Sequence, residues 1–296
     1  MMNKSVAFAV LSVAVLFGAL PSKATPLSLG TLTNYALVDL GTGDTIAINS
    51  GPIAGNVLLG NGVNAGFAGG NNGQITGTLS YDSTVTGTNT FSQLATAPTT
   101  QQVSTSVTSQ AFSYAQAASS QAAALTATQT FSGTVSGATT LTGNGGLNVI
   151  DFNSIQNAPL TIKGTASDTF VINIAGTFNT NVAMTLSGVS ASQILFNFTG
   201  TSGNVLQTSG GDSLYGTFLA ADGGNFQFSE LNLTGALYNS EGGMQFVSGS
   251  KIPTYTAFTG GTSNAAPAPE PSSLALFGGA LLAIAGLRQR YLRVGV

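Results

Sequence analysis

Carboxylates are the only candidate catalytic groups in this 296-residue chain. The chain has no cysteine and no histidine, which excludes thiol nucleophiles, disulfides, His-based triads and zinc sites made of those residues. A pair of Asp or Glu residues could still hydrolyse a glycosidic bond. The carboxylates are scattered, mostly beside Gly or Ser, as in Asp168, Asp212, Asp222, Glu230 and Glu241. Such residues typically bond their own backbone in turns, so we expect no catalytic residue.

Sites for small ligands are equally sparse in the sequence. No Asp-x-Asp-x-Asp-Gly run indicates a calcium loop, and the Gly-rich segments 69–73 and 143–146 lack the Lys-Ser or Lys-Thr of a phosphate loop. We therefore expect neither a metal nor a cofactor. Aromatic side chains could stack on sugar rings, and the candidates are Tyr81, Tyr215, Tyr238 and Tyr255.

Charge limits the partners further. Charged residues make up 6% of the chain, against roughly 25% in an ordinary soluble domain. Residues 25–270 contain two lysines, no arginine and ten carboxylates, for a net charge of −8. A body with so few cations cannot neutralise a phosphate backbone, which excludes nucleic acid as a partner.

The N-terminus has the pattern of an export signal. Lys4 precedes an apolar run over 6–20, which is shorter than the ~20 residues of a spanning helix. Small residues follow, up to Ala24. This order predicts a secretory signal peptide over 1–24 that signal peptidase removes after Ala24.

Three modules follow one another at the C-terminus. A linker rich in Pro, Gly, Ser and Thr over 256–268 leads to the motif Pro269, Glu270 and Pro271. An uncharged, mostly apolar segment over 274–287 comes next, and it predicts a short transmembrane helix. The cluster after it, which the positive-inside rule keeps cytoplasmic, consists of Arg288, Arg290 and Arg293.

These modules resemble the PEP-CTERM sorting signal of Gram-negative bacteria that make extracellular polysaccharide. The resemblance covers 269–296 and implies that residues 269–271 are the motif recognised by an exosortase, a membrane protease-transpeptidase. It also implies that the arginines act as a stop-transfer signal while the protein is transiently anchored in the inner membrane. A plain tail anchor is the alternative.

The body between the two signals combines short strands with one helix. Short apolar runs alternate with Gly and Asn from Leu29 to about Asp82, which predicts strands bounded by turns. Over 100–127, apolar residues instead recur every three or four positions, which predicts one long amphipathic helix. Thr99 and Gln102 fit a capping box at its start.

Glycines with a regular spacing divide the second half of the body. Gly164, Gly176, Gly188 and Gly200 follow one another at equal intervals, and β-rich runs lie between them. A steady pitch of strand and turn is typical of a solenoid or a sandwich, and it favours the solenoid. Because one such interval is too short for a three-sided coil, we expect more than one strand-and-turn unit per coil. The predicted fold is mainly β: a parallel β-helix over 25–255 with the helix packed alongside.

The body resembles the choice-of-anchor A and ice-binding-like β-helix families, in which a solenoid commonly pairs with one long helix. The segments that carry the resemblance are 29–37, 194–198 and 216–221. No face predicted from the sequence shows a sustained Thr-x-Thr ladder. The export and sorting signals, together with the composition, favour an exported cell-surface or matrix protein. We expect it to associate with exopolysaccharide in a non-enzymatic, adhesive or structural role. An ice-binding protein and a carboxylate-dependent glycan hydrolase are the alternatives.

Overall fold

Parallel strands stacked coil upon coil make up most of the computed structural model, which describes residues 27–49, 51–67, 73–247 and 249–260. Each coil has three sides, so the strands form three faces around one core. Strands that lie opposite each other in neighbouring coils pair in parallel, as in Phe170 with Ile194 and Leu195 with Thr217. The partners in these pairs are separated along the chain by about twice the interval between the regularly spaced glycines, so the predicted strand-and-turn unit is about half a coil.

The first eight strands wind from the middle of the solenoid to one end. They are β1 (Leu37–Asp39), β2 (Thr45–Ile48), β3 (Pro52–Ile53), β4 (Val57–Leu59), β5 (Asn64–Ala65), β6 (Gln74–Ile75), β7 (Thr78–Tyr81) and β8 (Thr99–Gln102). On the first face, β1 pairs with β4, β4 with β7 and β7 with β8. Strand β8 is therefore the outermost strand there, and we call this part of the solenoid the β8 end.

Helix α1 (Thr105–Ala123) then carries the chain along the first face towards the opposite end. Its buried stripe consists largely of small residues spaced by three or four, which are Ala111, Ala115, Ala118 and Ala122. These alanines let the helix lie close to the sheet, where they share an apolar cluster with Val38, Leu58 and Leu195. Because α1 covers it, we call the first face the helix face.

The remaining strands wind back from the far end to the middle. They are β9 (Gln129–Val135), β10 (Thr139–Thr142), β11 (Leu147–Gln156), β12 (Leu160–Lys163), β13 (Thr169–Ile174), β14 (Phe178–Thr180), β15 (Thr185–Ser187), β16 (Ile194–Phe198), β17 (Asn204–Ser209), β18 (Ser213–Ala220), β19 (Asn225–Ser229), β20 (Asn232–Asn239), β21 (Met244–Val247) and β22 (Lys251–Tyr255). Strand β9 is outermost at this β9 end. The last coil stacks on the first, because β20 pairs with β1, β21 with β2 and β22 with β3.

Aromatic side chains stack along the core because parallel register places similar residues above one another. The rings of Phe196 and Phe218 lie 4.6 Å apart and nearly parallel, and those of Phe131 and Phe152 lie 4.4 Å apart. Period-two alternation along each strand points these rings inward and the intervening polar residues outward. The two faces that α1 does not cover therefore present polar side chains on the outside.

The structure confirms the predicted parallel β-solenoid with a long helix alongside and changes the helix bounds. The helix occupies Thr105–Ala123 rather than 100–127, with Ser104 as its N-cap. The capping box predicted at Thr99 and Gln102 is wrong, because Thr99–Gln102 form β8 and pair with β7. None of the described helices is long and apolar enough to cross a membrane, and the predicted segment 274–287 lies outside the described residues.

Candidate binding faces

One uncovered face presents a column of amide side chains, and we call it the amide face. Its strands run in the order β5, β2, β21, β19, β17, β14 and then the last residues of β11. In this register each amide lies opposite the amide of the next coil. The column consists of Gln156, Asn179, Gln207, Gln227 and Gln245.

Hydrogen bonds connect the amides along the column. Gln207 Nε2 donates to Gln227 Oε1 at 3.1 Å, and Gln227 Nε2 donates to Gln245 Oε1 at 3.3 Å. Asn204 Nδ2 also donates to Gln227 Oε1, at 2.7 Å. Because neighbouring strands are about 4.8 Å apart, the bonds hold a row of amide groups at the strand spacing.

A shallow groove of about 420 Å³ lies over the centre of the amide face. Gln227 and Gln245 of the column line it together with Asn204 and Asn225, and Asp44 is its one carboxylate. An amide offers both donors and acceptors, so this lining can bind hydroxyl groups in either direction. The chemistry suits a neutral, hydroxyl-rich ligand better than a charged one.

The amide column was missed in the sequence analysis, although a signal for it is present. Short segments place an amide between two residues that point into the core, as in 206–208, 226–228 and 244–246. This alternation places each glutamine on an outer surface. It does not reveal that the three glutamines share one column, because that depends on the register between coils.

The third face carries a short column of threonines and is called the threonine face. Thr140, Thr161 and Thr185 lie opposite one another in β10, β12 and β15. The neighbouring column contains Thr142, but Lys163 follows it in the next coil. The sequence predicted no sustained Thr-x-Thr ladder, and the structure shows a column of three threonines beside a column interrupted by a lysine.

On the helix face, α1 covers a column of polar side chains and forms hydrogen bonds with it. Asn197 Nδ2 donates to the Ser119 carbonyl at 3.2 Å and to Asn173 Oδ1 at 2.9 Å. Asn173 Nδ2 donates to the Ala122 carbonyl at 3.1 Å and to Asp151 Oδ1 at 3.1 Å. These bonds attach the C-terminal part of α1 to the sheet.

Asp168 accepts four hydrogen bonds at a corner of the solenoid. Its oxygens accept from the Gly145 and Thr165 amides at 2.7 and 2.8 Å, from Thr165 Oγ1 at 2.9 Å and from Asn148 Nδ2 at 3.1 Å. Burial raises the pKa of Asp168, but these bonds outweigh it and lower the pKa to about 2. Asp168 is thus a backbone-bonded corner residue, as predicted.

The other buried carboxylates differ in their surroundings. The pKa of Asp212 is raised, mainly by burial and also by the nearby Glu230 carboxylate. One hydrogen bond from the Ser209 amide lowers it but does not cancel these two effects. Asp39 is fully buried, and that burial holds its pKa well above the ordinary value. Within the described residues no three His, Cys, Asp or Glu side chains come together in a group that could hold a metal ion.

The tyrosines proposed to stack on sugars do not form one site. Tyr238 is fully buried under α1 and donates to a backbone carbonyl at 3.1 Å, so it is a core residue and is not available to a sugar. Tyr81 packs edge-on against Phe91. Tyr215 is half-buried on the threonine face. Tyr255 is also half-buried, and its hydroxyl donates to a backbone carbonyl near the start of the described chain.

The residues proposed for export and sorting lie outside the described residues. They are Ala24, Pro269, Glu270, Pro271, Arg288, Arg290 and Arg293. The geometry described here therefore concerns the body alone.

Comparison with protein families finds two matches along the chain. The model of an ice-binding-like adhesive domain matches residues 29–238, and the model of the PEP-CTERM protein-sorting motif matches residues 267–290. No curated protein matches the chain.

Solved ice-binding proteins share the fold at low sequence identity. The protein of the Antarctic ascomycete Antarctomyces psychrotrophicus has a TM-score of 0.55 and 18% identity, over 77% of this chain and 98% of that one. The protein of an Arctic yeast has a TM-score of 0.55 and 17% identity, over 84% and 98%. A domain from Shewanella frigidimarina has a TM-score of 0.53 and 14% identity, over 79% and 98%. At these identities the similarity concerns the fold alone.

Proposed function

Because the chain belongs to the family of ice-binding-like adhesive domains and carries a PEP-CTERM sorting motif, we propose that it is an exported surface or matrix protein that binds extracellular polysaccharide without cleaving it. The PEP-CTERM motif implies processing by an exosortase and membrane-anchored sorting in a Gram-negative bacterium. The adhesive role, the polysaccharide and the absence of enzymatic activity are our proposal.

The amide face is the observation that carries this proposal. It aligns five amide side chains across consecutive coils, with a shallow groove of about 420 Å³ along part of the row. A linear polymer offers hydroxyl groups at many points along its length, and a row of amides can bind several of them at once. Many weak contacts in series then add up to strong retention.

Co-sedimentation of the protein with the host polysaccharide tests this role. We expect the wild-type protein to sediment with the polymer and to release no reducing sugar. The variant Gln227→Ala/Gln245→Ala removes two amides at the groove. It should weaken binding about thirtyfold, since two lost hydrogen bonds at about 1 kcal/mol each amount to about 2 kcal/mol. Gln74→Ala removes an exposed amide of β6, which lies outside the amide column, and serves as the control.

Two results would contradict the proposal. Equal binding by the double variant and the control would exclude the amide face as the binding surface. Release of reducing sugar would favour the alternative, a glycan hydrolase that uses carboxylates.

Ice binding is the second candidate function. It is supported by the solved ice-binding proteins that share the fold and by the column Thr140, Thr161 and Thr185. A measurement of thermal hysteresis distinguishes the two functions. Hysteresis that is lost in Thr161→Lys, together with no binding to the polymer, would favour ice as the ligand.

We also propose the processing sites that the sequence predicts. Signal peptidase would cut after Ala24, leaving a body over 25–255 and a linker over 256–268, and an exosortase would recognise residues 269–271 in the sorting signal over 269–296. Replacement of the three motif residues by alanine in the host, followed by mass spectrometry of the mature C-terminus, tests the motif. Unchanged processing would reduce the signal to a plain anchor.

A further inference from the structure

Both ends of the solenoid present an uncovered strand. All four residues of β8 are exposed, and β8 pairs with β7 alone among the described strands. Five of the seven residues of β9 are exposed, and β9 pairs with β11 alone among them. Such edges carry unpaired backbone N–H and C=O groups that can accept another strand.

The two edges also lack the charged residues that usually protect such strands from pairing. No Asp, Glu, Lys or Arg occurs over 83–150, a stretch that includes β8, α1, β9 and β10. Proteins commonly place lysine or another charge on an exposed edge to prevent its pairing with a second chain. At the β8 end, Phe91 packs against Phe67 and Tyr81 over the core, but β8 itself stays exposed.

The described part of the chain begins and ends away from both edges. The described residues begin and end beside each other near the middle of the solenoid, where Leu29 and Phe258 share one apolar cluster. The last described residues therefore lie at the side of the solenoid and not at either edge.

The two edges match each other in direction and position. Strands β8 and β9 are the two outermost strands of the sheet on the helix face, and every pairing between them is parallel. A second copy shifted along the solenoid axis therefore presents its β8 to β9 in the direction that continues the sheet. We propose that the protein stacks head to tail with copies of itself, β9 of one protomer pairing in parallel with β8 of the next.

Such a contact joins two different surfaces and does not close on itself. Heterologous contacts without a closing rotation generate open filaments. Stacked copies would place their amide faces in one row and lengthen the surface available to a polymer, although the stacking itself does not depend on polymer binding.

Disulfide trapping tests the stacking directly, because the chain has no cysteine of its own. Gln101 of β8 lies opposite Ser80, and Thr130 of β9 lies opposite Asp151. The pairings of the strands between them place Gln101 and Thr130 in the same outward column of the helix face. The full-length variants Gln101→Cys and Thr130→Cys, purified in mild detergent, are oxidised separately and as a mixture. We expect a disulfide dimer as the main product of the mixture and little dimer from either variant alone.

A charge on the edge provides the second measurement. Gln129 is an exposed residue of β9 that shares its register column with Thr100 of β8. Gln129→Lys therefore places a cation on the edge that would pair with β8 of the next copy. It should abolish the concentration-dependent growth seen by sedimentation velocity, with an unchanged melting temperature. Thr185→Lys, an exposed position on the threonine face, is the matched control and should assemble like the wild type. Three results would each overturn the proposal: dimers from the single-cysteine variants alone, no mixed dimer, or assembly of Gln129→Lys equal to that of the wild type.

Discussion

The carboxylate of Asp168 should stabilise the body through its charge. It is 1% exposed and accepts four hydrogen bonds, two on each oxygen. Asp168→Asn keeps one acceptor oxygen and turns the other into a donor, so two of the bonds are lost. At about 1.5 kcal/mol for each bond to a charged group, the loss is about 3 kcal/mol. For a protein of this size that lowers the melting temperature by roughly 6–12 °C.

The pH dependence follows from the direction of the pKa shift. The pKa of Asp168 is lowered from its ordinary value of 3.8 to about 2 in the folded protein. The stabilisation is therefore complete above about pH 4 and is lost as the pH falls towards 2. Since Asp168→Asn cannot titrate, wild type and variant should converge in stability over that acidic range.

Chemical denaturation at pH 7 and along an acid series measures both effects. Asp222→Asn changes an exposed carboxylate and should stay within about 0.5 kcal/mol of wild type. The reasoning fails if Asp168→Asn is as stable as wild type at pH 7. It fails also if their difference persists unchanged at pH 2.

Two further substitutions probe the packing of coils and helix. A Cβ at Gly235 would lie 1.8 Å from the Gly216 carbonyl oxygen. Gly235→Ala should therefore lower the free energy of unfolding, measured in denaturant, by about 3 kcal/mol. Gly133→Ala is the control and should leave it unchanged, because nothing lies within 4 Å of the added Cβ. Equal midpoints would contradict the close approach of the two coils. Asn197→Ala removes bonds to Asn173 and to a carbonyl of α1, which should cost about 2 kcal/mol and speed hydrogen exchange at the end of the helix. Unchanged exchange there would show that this amide does not hold the helix.

Local patterns were sufficient to find several elements. The strands Thr45–Ile48 and Thr169–Ile174 lie in the two regions where the sequence predicts short strands. Alternation and β-branched residues can be recognised within a segment itself, without knowledge of its partner. The start of α1 was misplaced, since pairing with β7 is what makes Thr99–Gln102 a strand.

The arrangement of the coils could not be read from the order of the strands. The chain starts in the middle, winds to the β8 end, crosses along α1 and returns from the β9 end, so β1 lies beside β20 rather than at an edge. Two strands far apart in sequence pair because their hydrophobic faces and turn geometry agree. A single sequence reveals the faces of each strand but not its partner.

The sequence by itself determined the chemistry available to this protein: no thiol or imidazole, few charges, a sorting motif near the C-terminus, and a body of short strands with one helix. Tertiary structure alone decided which polar residues act together. Gln207, Gln227 and Gln245 form one column because the coils that separate them differ in length and still place each glutamine at the same register position. Loop lengths and bulges absorb the difference, and their geometry depends on the packing of the whole solenoid.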